Sequence, residues 1–215
     1  MQFPISIETD AMRKLLTLLL LLTAPVFAQS PEFYIVPGER IGPVTRNSTK
    51  SNLIRALGQN QVKDSQVNIG EGETADATTL YPEHPHYRIK IIWKPGSTTS
   101  ATPESVWLQG ESSVWRTEDG IGLGTGLARA EKANRGPFEL MGFGWDYEGN
   151  VNAWNGRLTN KLKDLSVRFT MPPKSYEFYG HETLNSVLGD MEITSQHPLF
   201  LKVDPIIHHI VMTFE

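Results

Sequence analysis

The stretch "GIGLGTG", Gly120 to Gly126, sets a glycine at every second position just ahead of a helix-like run, "LARAEKANR". Glycine loops of this kind can hold phosphate. They let the backbone approach a pyrophosphate while the helix N-terminus supplies partial positive charge. The dinucleotide pattern Gly-x-Gly-x-x-Gly does not fit, however. Counting from Gly120 its third glycine falls on Thr125, and from Gly122 on Leu127. The Gly-Lys-Ser/Thr of a P-loop is absent as well. Asp146 lies about 20 positions on, where an acid would hold a ribose. A hairpin turn follows it, not the second strand–helix unit that such a site needs. No nucleotide or other cofactor is expected. The glycines read as permissive backbone, with Thr125 as the N-cap of the helix that follows.

The other reactive residue types are scattered. His84 and His86 in "PEHPHY" are spaced to share a face, but only Glu83 is near enough to join them. A zinc site needs three or four converging ligands. His208 and His209 are adjacent in a strand pattern, so they are expected to point to opposite faces. Glu71, Glu73 and Asp76 form an acidic stretch that matches a calcium loop poorly and reads as solvated. Glu118 and Asp119 read as a polar turn. No metal is expected. The chain has no cysteine, which excludes disulfides, thiolate ligands and a thiol nucleophile. No Gly-x-Ser-x-Gly elbow is present. Asp146 and Glu148 are the catalytic candidates, as a carboxylate pair of the glycosidase kind, which needs a separation of roughly 5–9 Å across a cleft. The alternative is that Asp146 accepts hydrogen bonds that organise a turn. The balance favours a protein that is not an enzyme.

The five tryptophans offer a different chemistry. Trp93, Trp107, Trp115, Trp145 and Trp154 all fall in predicted strands, either in the core or on an aromatic platform that stacks on sugars or anchors a protein interface. Trp145, Tyr147 and Trp154 are the expected binding residues. Trp154 is the best candidate for exposure, because it is out of phase with Val151 and Ala153.

These residues must be positioned by the elements around them. Thr49 or Ser48 caps a helix over 50–57, whose apolar stripe is Leu53, Ile54, Ala56 and Leu57 and whose stop is Gly58. "YRIKIIW" alternates, with Tyr87, Ile89, Ile91 and Trp93 on one face. "SVWLQG" and "SSVWRT" read as short strands. "FELMGFGWDY" and "VNAWNGRL" flank the turn "EGN" as a hairpin, with Phe143, Trp145 and Tyr147 on one face. "LSVRFTM" is a strand with Leu165, Val167 and Phe169 inward. "ETLNSVLG" reads equally as helix or strand. "IIHHIVMTF" is apolar on both faces and so belongs mid-sheet. The expectation is an α+β fold, a mostly antiparallel sheet with two short helices.

The N-terminus carries an address. Arg13 and Lys14, the apolar run "LLTLLLLLT" and the small residues Val26 and Ala28 make residues 1–28 a secretory signal peptide, with residues 1–11 an upstream start artefact. The apolar run is about half of the ~20 residues that span a bilayer, so no membrane anchor is expected after cleavage. An exported location follows, periplasmic or extracellular. The net charge of −4 gives no footprint for nucleic acid.

Two stretches share an order of features: "IGPVTRNSTKSNLIRALG" and "IGLGTGLARAEKANRGP". Each runs from Ile-Gly through a Thr/Ser or Gly/Thr lead-in to a short helix and a glycine. They divide the chain into similar halves, residues 29–118 and 119–215. Here the chain resembles the repeat unit of β-lactamase-inhibitor-protein-like domains and of small outer-membrane assembly lipoproteins. It lacks the lipid-bearing cysteine of the latter and the cysteines of the former. "GERIGPVTRNST" and "GFGWDYEGNVNAWNG" also look like a family of exported bacterial proteins. The resemblance implies binding or inhibition of another protein. The expected function is a non-catalytic binding module of the bacterial cell envelope that contacts a protein. A carbohydrate- or peptidoglycan-binding domain using the same aromatics is the alternative, and a small hydrolase is the third reading.

Overall fold

The computed structural model describes residues 34–70, 72–96 and 100–214. The expected signal peptide and Glu71 lie outside these. The first described elements are three two-residue strands, β1 (Ile35–Val36), β2 (Arg40–Ile41) and β3 (Val44–Thr45), paired antiparallel in that order. Helix α1 (Lys50–Leu57) follows as expected. Thr49 Oγ1 accepts the Asn52 amide at 3.2 Å, and Leu53 is buried. Gly58, at φ +90°, closes the helix by donating to the Ile54 carbonyl.

Four strands then form a meander: β4 (Val62–Gly70), β5 (Glu73–Leu80), β6 (Ile89–Trp93) and β7 (Pro103–Gln109). After it come α2 (Leu127–Asn134), the hairpin strands β8 (Glu139–Met141) and β9 (Val151–Ala153), the short helix α3 (Leu158–Lys161) and β10 (Leu165–Thr170). Helix α4 (Ser175–Leu184) is broken at Gly180, then β11 (Glu192–Thr194) and β12 (Ile206–Thr213) end the chain. The fold is α+β and mostly antiparallel. Among the described residues there are four α-helices where two were expected; α4 takes in part of the ambiguous "ETLNSVLG". "SSVWRT" is not a strand: Trp115 instead packs into the core and donates its indole N–H to the Tyr87 carbonyl at 3.0 Å.

The main sheet has the order β10-β12-β7-β6-β5-β4, and a smaller one has the order β11-β8-β9. Strand β12 is central, as its two-faced apolar character requires. It pairs with β10 on one side and β7 on the other, so residues 29–118 and 119–215 contribute to one sheet. The inner face carries Ile89, Ile91, Val106, Leu108, Val167, Phe169, Ile207, Ile210 and Met212, all almost fully buried. Among the described residues no helix is long and apolar enough to cross a membrane.

The glycine stretch has a packing role. A Cβ on Gly126 would collide with the Asp204 carboxylate. That carboxylate accepts the Ala128 amide at 2.9 Å, from 76 residues away. The first turn of α2 is thus capped by the chain itself, at the place a phosphate would take. Thr125 is not the helix cap. Its hydroxyl accepts the Gly122 amide at 3.1 Å and steadies the glycine turn, while Gly126 holds the cap position without a side-chain bond.

Fully buried Asn134 ties the end of α2 to the next hairpin. Its Nδ2 donates to the carbonyls of Gly136 (3.0 Å), Pro137 (3.3 Å) and Trp154, and its Oδ1 accepts the Leu158 amide at 3.0 Å. Removing it strands several buried backbone groups, each costing about 1–3 kcal/mol. Asn134→Ala should therefore lower the unfolding free energy by about 3 kcal/mol in urea denaturation. A loss within about 0.5 kcal/mol, as at an ordinary surface site, would show that the bonds are not needed.

Candidate functional site

The outer face of the main sheet holds the site, and an irregularity in β12 creates it. Ile207 and Ile210 are both fully buried in the core, three residues apart. Side chains on a regular strand alternate, so a two-residue spacing would be normal. The register shows how the extra residue is absorbed. Arg168 opposes His209 and its neighbour Phe169 opposes Ile207, which leaves His208 as a β-bulge. Bulges re-aim side chains in this way and recur beside functional sites. Both histidines line one pocket on the outer face. The expectation that they point to opposite faces is corrected: it assumed an unbroken alternation.

Residues directly opposite in an antiparallel pair share a face. Arg168 and Gln109 therefore stand on either side of His209. Trp107 lies two residues before Gln109, and its ring centroid is 5.0 Å from that of His209. The Trp107 indole donates to Ser105 Oγ at 2.8 Å, which sets the ring's tilt. The hairpin tip of β4 and β5 contributes Asn68, Gly70 and Glu73, and the loop between β8 and β9 contributes Trp145, Asp146, Tyr147 and Glu148. Together they enclose about 540 Å³, a usual size for a small-ligand site.

That loop is longer than the expected turn, because β8 ends at Met141 and β9 starts at Val151. Trp145, Asp146, Tyr147 and Glu148 are therefore loop residues and not strand residues. Phe143 departs from the shared face and is fully buried, while Tyr147 is 57% exposed. Glu148 organises the loop, accepting the Gly144 amide at 3.0 Å and the Thr170 hydroxyl at 3.4 Å. Trp145 donates its indole N–H to the Gly142 carbonyl at 2.9 Å, and its ring meets Tyr147 edge-on at 5.4 Å. Gly149 has no alternative: it sits at φ +60°, and a Cβ there would strike the Phe169 carbonyl of β10.

No family model, curated protein or solved structure matches this chain. What the pocket can hold must be read from its own groups.

Trp154 does not join it. It is 7% exposed and packs on Phe138 at 4.8 Å, so the expectation of an exposed ring is corrected. Its phase shift against Val151 and Ala153 turned the ring into the core. His84 and His86 also lie elsewhere, His84 against Tyr87 and His86 on Ser112 Oγ at 3.0 Å. Glu118 and Asp119 bind Lys161, and Asp119 also binds Arg157 at 2.7 Å. Among the described residues no three His, Asp or Glu side chains converge as a metal cluster.

The pocket's electrostatics are uneven. Burial, with Arg168, His208 and Lys90 nearby, holds His209 down from 6.5 to about 3. Burial lowers His208 too, with Glu148 opposing and Arg168 assisting. Both rings are neutral at pH 7, and each then has one donor and one acceptor nitrogen. His208 Nδ1 and His209 Nε2 are buried and have no hydrogen-bond partner among the described residues. An unpartnered buried nitrogen costs free energy, and because both nitrogens are shielded from solvent the fold itself bears that cost.

A depressed histidine leaves a pH signature. Below pH 6.5 the unfolded chain takes up a proton that folded His209 refuses until about pH 3. Its contribution to stability is complete above pH 6.5 and is lost as pH falls through that window. His209→Gln should flatten the fall in the urea midpoint between pH 7 and pH 4. Parallel wild-type and variant curves would mean that His209 titrates normally in the folded state.

Proposed function

We propose that this chain is an exported, non-catalytic binding module whose ligand is a carbohydrate segment held over the outer sheet face. One observation carries this reading: a ligand-sized pocket combines aromatic rings with two neutral imidazoles and an arginine. Hydroxyl groups both donate and accept, as neutral imidazoles do. Trp107, Trp145 and Tyr147 offer faces or edges to the apolar side of a sugar ring. Export rests on the signal-like N-terminus. The hydrolase reading loses support because Glu148 is occupied in holding its own loop.

Soluble cell-wall and polysaccharide fragments should quench tryptophan fluorescence in the wild type. Trp107→Ala should weaken that response about tenfold or more, the worth of one good aromatic contact. If folded wild type responds to no glycan in a broad panel, the reading is wrong.

A protein partner remains the second reading, favoured by Phe178 at 84% and Leu201 at 92% exposure. A face that includes Trp154 is ruled out for it, since that ring is buried. Cross-linking in envelope extract tests this reading. One protein captured by wild type and lost in a folded Phe178→Ser/Leu201→Ser variant supports it, and capture unchanged by the variant removes these residues from consideration.

A further inference from the structure

The pocket contains a cation with no direct ion pair among the described residues. Arg168 lines it, half-buried, on β10. Its Nη1 donates to the Asp146 carbonyl at 3.2 Å, and its guanidinium carbon lies 5.8 Å from the centre of the Tyr147 ring. Those two contacts fix the plane of the guanidinium and leave most of its five N–H donors without a protein acceptor. Among the described residues no carboxylate pairs with it. Glu148 lines the same pocket, yet its oxygens are directed to the Gly144 amide and the Thr170 hydroxyl.

The sheet around Arg168 carries no acid among the pocket's lining residues. His209, directly opposite Arg168 in the sheet, is 92% buried by its 8% exposure and has an unpartnered Nε2. Lys90 lies beyond it, opposite Trp107 and donating to Gln109 Oε1 at 3.2 Å. Arg168 and Lys90 thus belong to the sheet floor, and the acids belong to what overhangs it: Glu73 on the hairpin tip, Asp146 and Glu148 on the loop. A ligand resting on the floor lies against Arg168. A planar, pre-oriented guanidinium suits one planar two-oxygen anion.

We propose that the ligand is an acidic sugar, a pyranose bearing a carboxylate, and that Arg168 binds that carboxylate while Trp107 and the histidine pair face the ring and its hydroxyls. This rests on the carbohydrate reading above and adds the charged group that selects among sugars. Glu73 and Asp146 at the mouth then disfavour longer polyanions, so one isolated carboxylate fits better than a chain of them.

The test uses pairs of sugars that differ by a carboxylate: N-acetylmuramic acid against N-acetylglucosamine, and glucuronic acid against glucose. Binding is followed by NMR chemical-shift titration of residues 29–215. The acidic member of each pair should bind about tenfold more tightly, the range of one charge-assisted hydrogen-bonded contact. Arg168→Gln should abolish that preference and leave the neutral sugar's affinity within about twofold. Arg168→Lys should retain part of it, because the charge stays and the fork is lost. Raising salt should weaken only the acidic member. If Arg168→Gln does not fold, the wild-type pairs and the Lys variant still decide. Equal binding of both members, or a preference that survives Arg168→Gln, overturns this inference and leaves the carbohydrate reading standing. Binding of neither member of either pair overturns both.

Discussion

One extra residue in β12 shapes the site. Ile207 and Ile210 must both enter the core, where they are fully buried against Phe169 and Val167 of the facing strand. A strand with period two cannot place residues three apart on one face. The bulge at His208 resolves the mismatch, and it does so by directing two consecutive histidines outward. Burying Ile207 and Ile210 is worth several kcal/mol at about 1.5–3 kcal/mol per side chain. That is ample to hold imidazoles whose nitrogens are left without partners. The core's demand for packing therefore sets the geometry of the polar pocket on the opposite face.

The surrounding elements fix this strand from both sides. Asp204, just before β12, caps α2, and the Gly126 backbone must be bare to let it approach. The Ile207 amide donates to the Thr125 carbonyl and the Gly124 amide to the Ile207 carbonyl, so the glycine stretch is tied to the start of β12. On the other side the Gly149 carbonyl accepts the Phe169 amide of β10, while its own amide donates to the Met141 and Gly142 carbonyls. The loop that carries Trp145 and Tyr147 is thereby anchored one residue from Arg168. A glycine run that looks like phosphate chemistry is in fact the scaffold of a distant pocket.

Function follows from which polar groups the fold uses up. Glu148, Asn134, Asp119 and Asp204 are all committed to holding loops and helix ends. Arg168 gives the loop only one hydrogen bond, and each of the two histidines keeps one nitrogen without a partner among the described residues. A fold that satisfies its structural polar groups so thoroughly makes the few unsatisfied ones informative, since buried polar atoms normally find partners.

The sequence by itself determined the local elements. Thr49 and Gly58 bound α1 because capping is a matter of a few adjacent residues. Leu165, Val167 and Phe169 declared the inner face of β10 through their period, and the run of residues 206–214, with apolar side chains in both phases, declared a strand with neighbours on both sides. The absence of cysteine closed off whole classes of chemistry. Tertiary structure decided the rest. Nothing near Ala128 foretells a cap from Asp204, and nothing near Trp154 says that its out-of-phase ring turns inward onto Phe138. The bulge left one legible trace, the pattern Ile-His-His-Ile. Only the pairing with β10 and the closed core showed that both isoleucines go in, so that both histidines must go out. Local propensity acts over a turn or a pleat, whereas the pocket is assembled from residues up to 141 positions apart, Asn68 to His209. Only burial of a shared core brings such residues together.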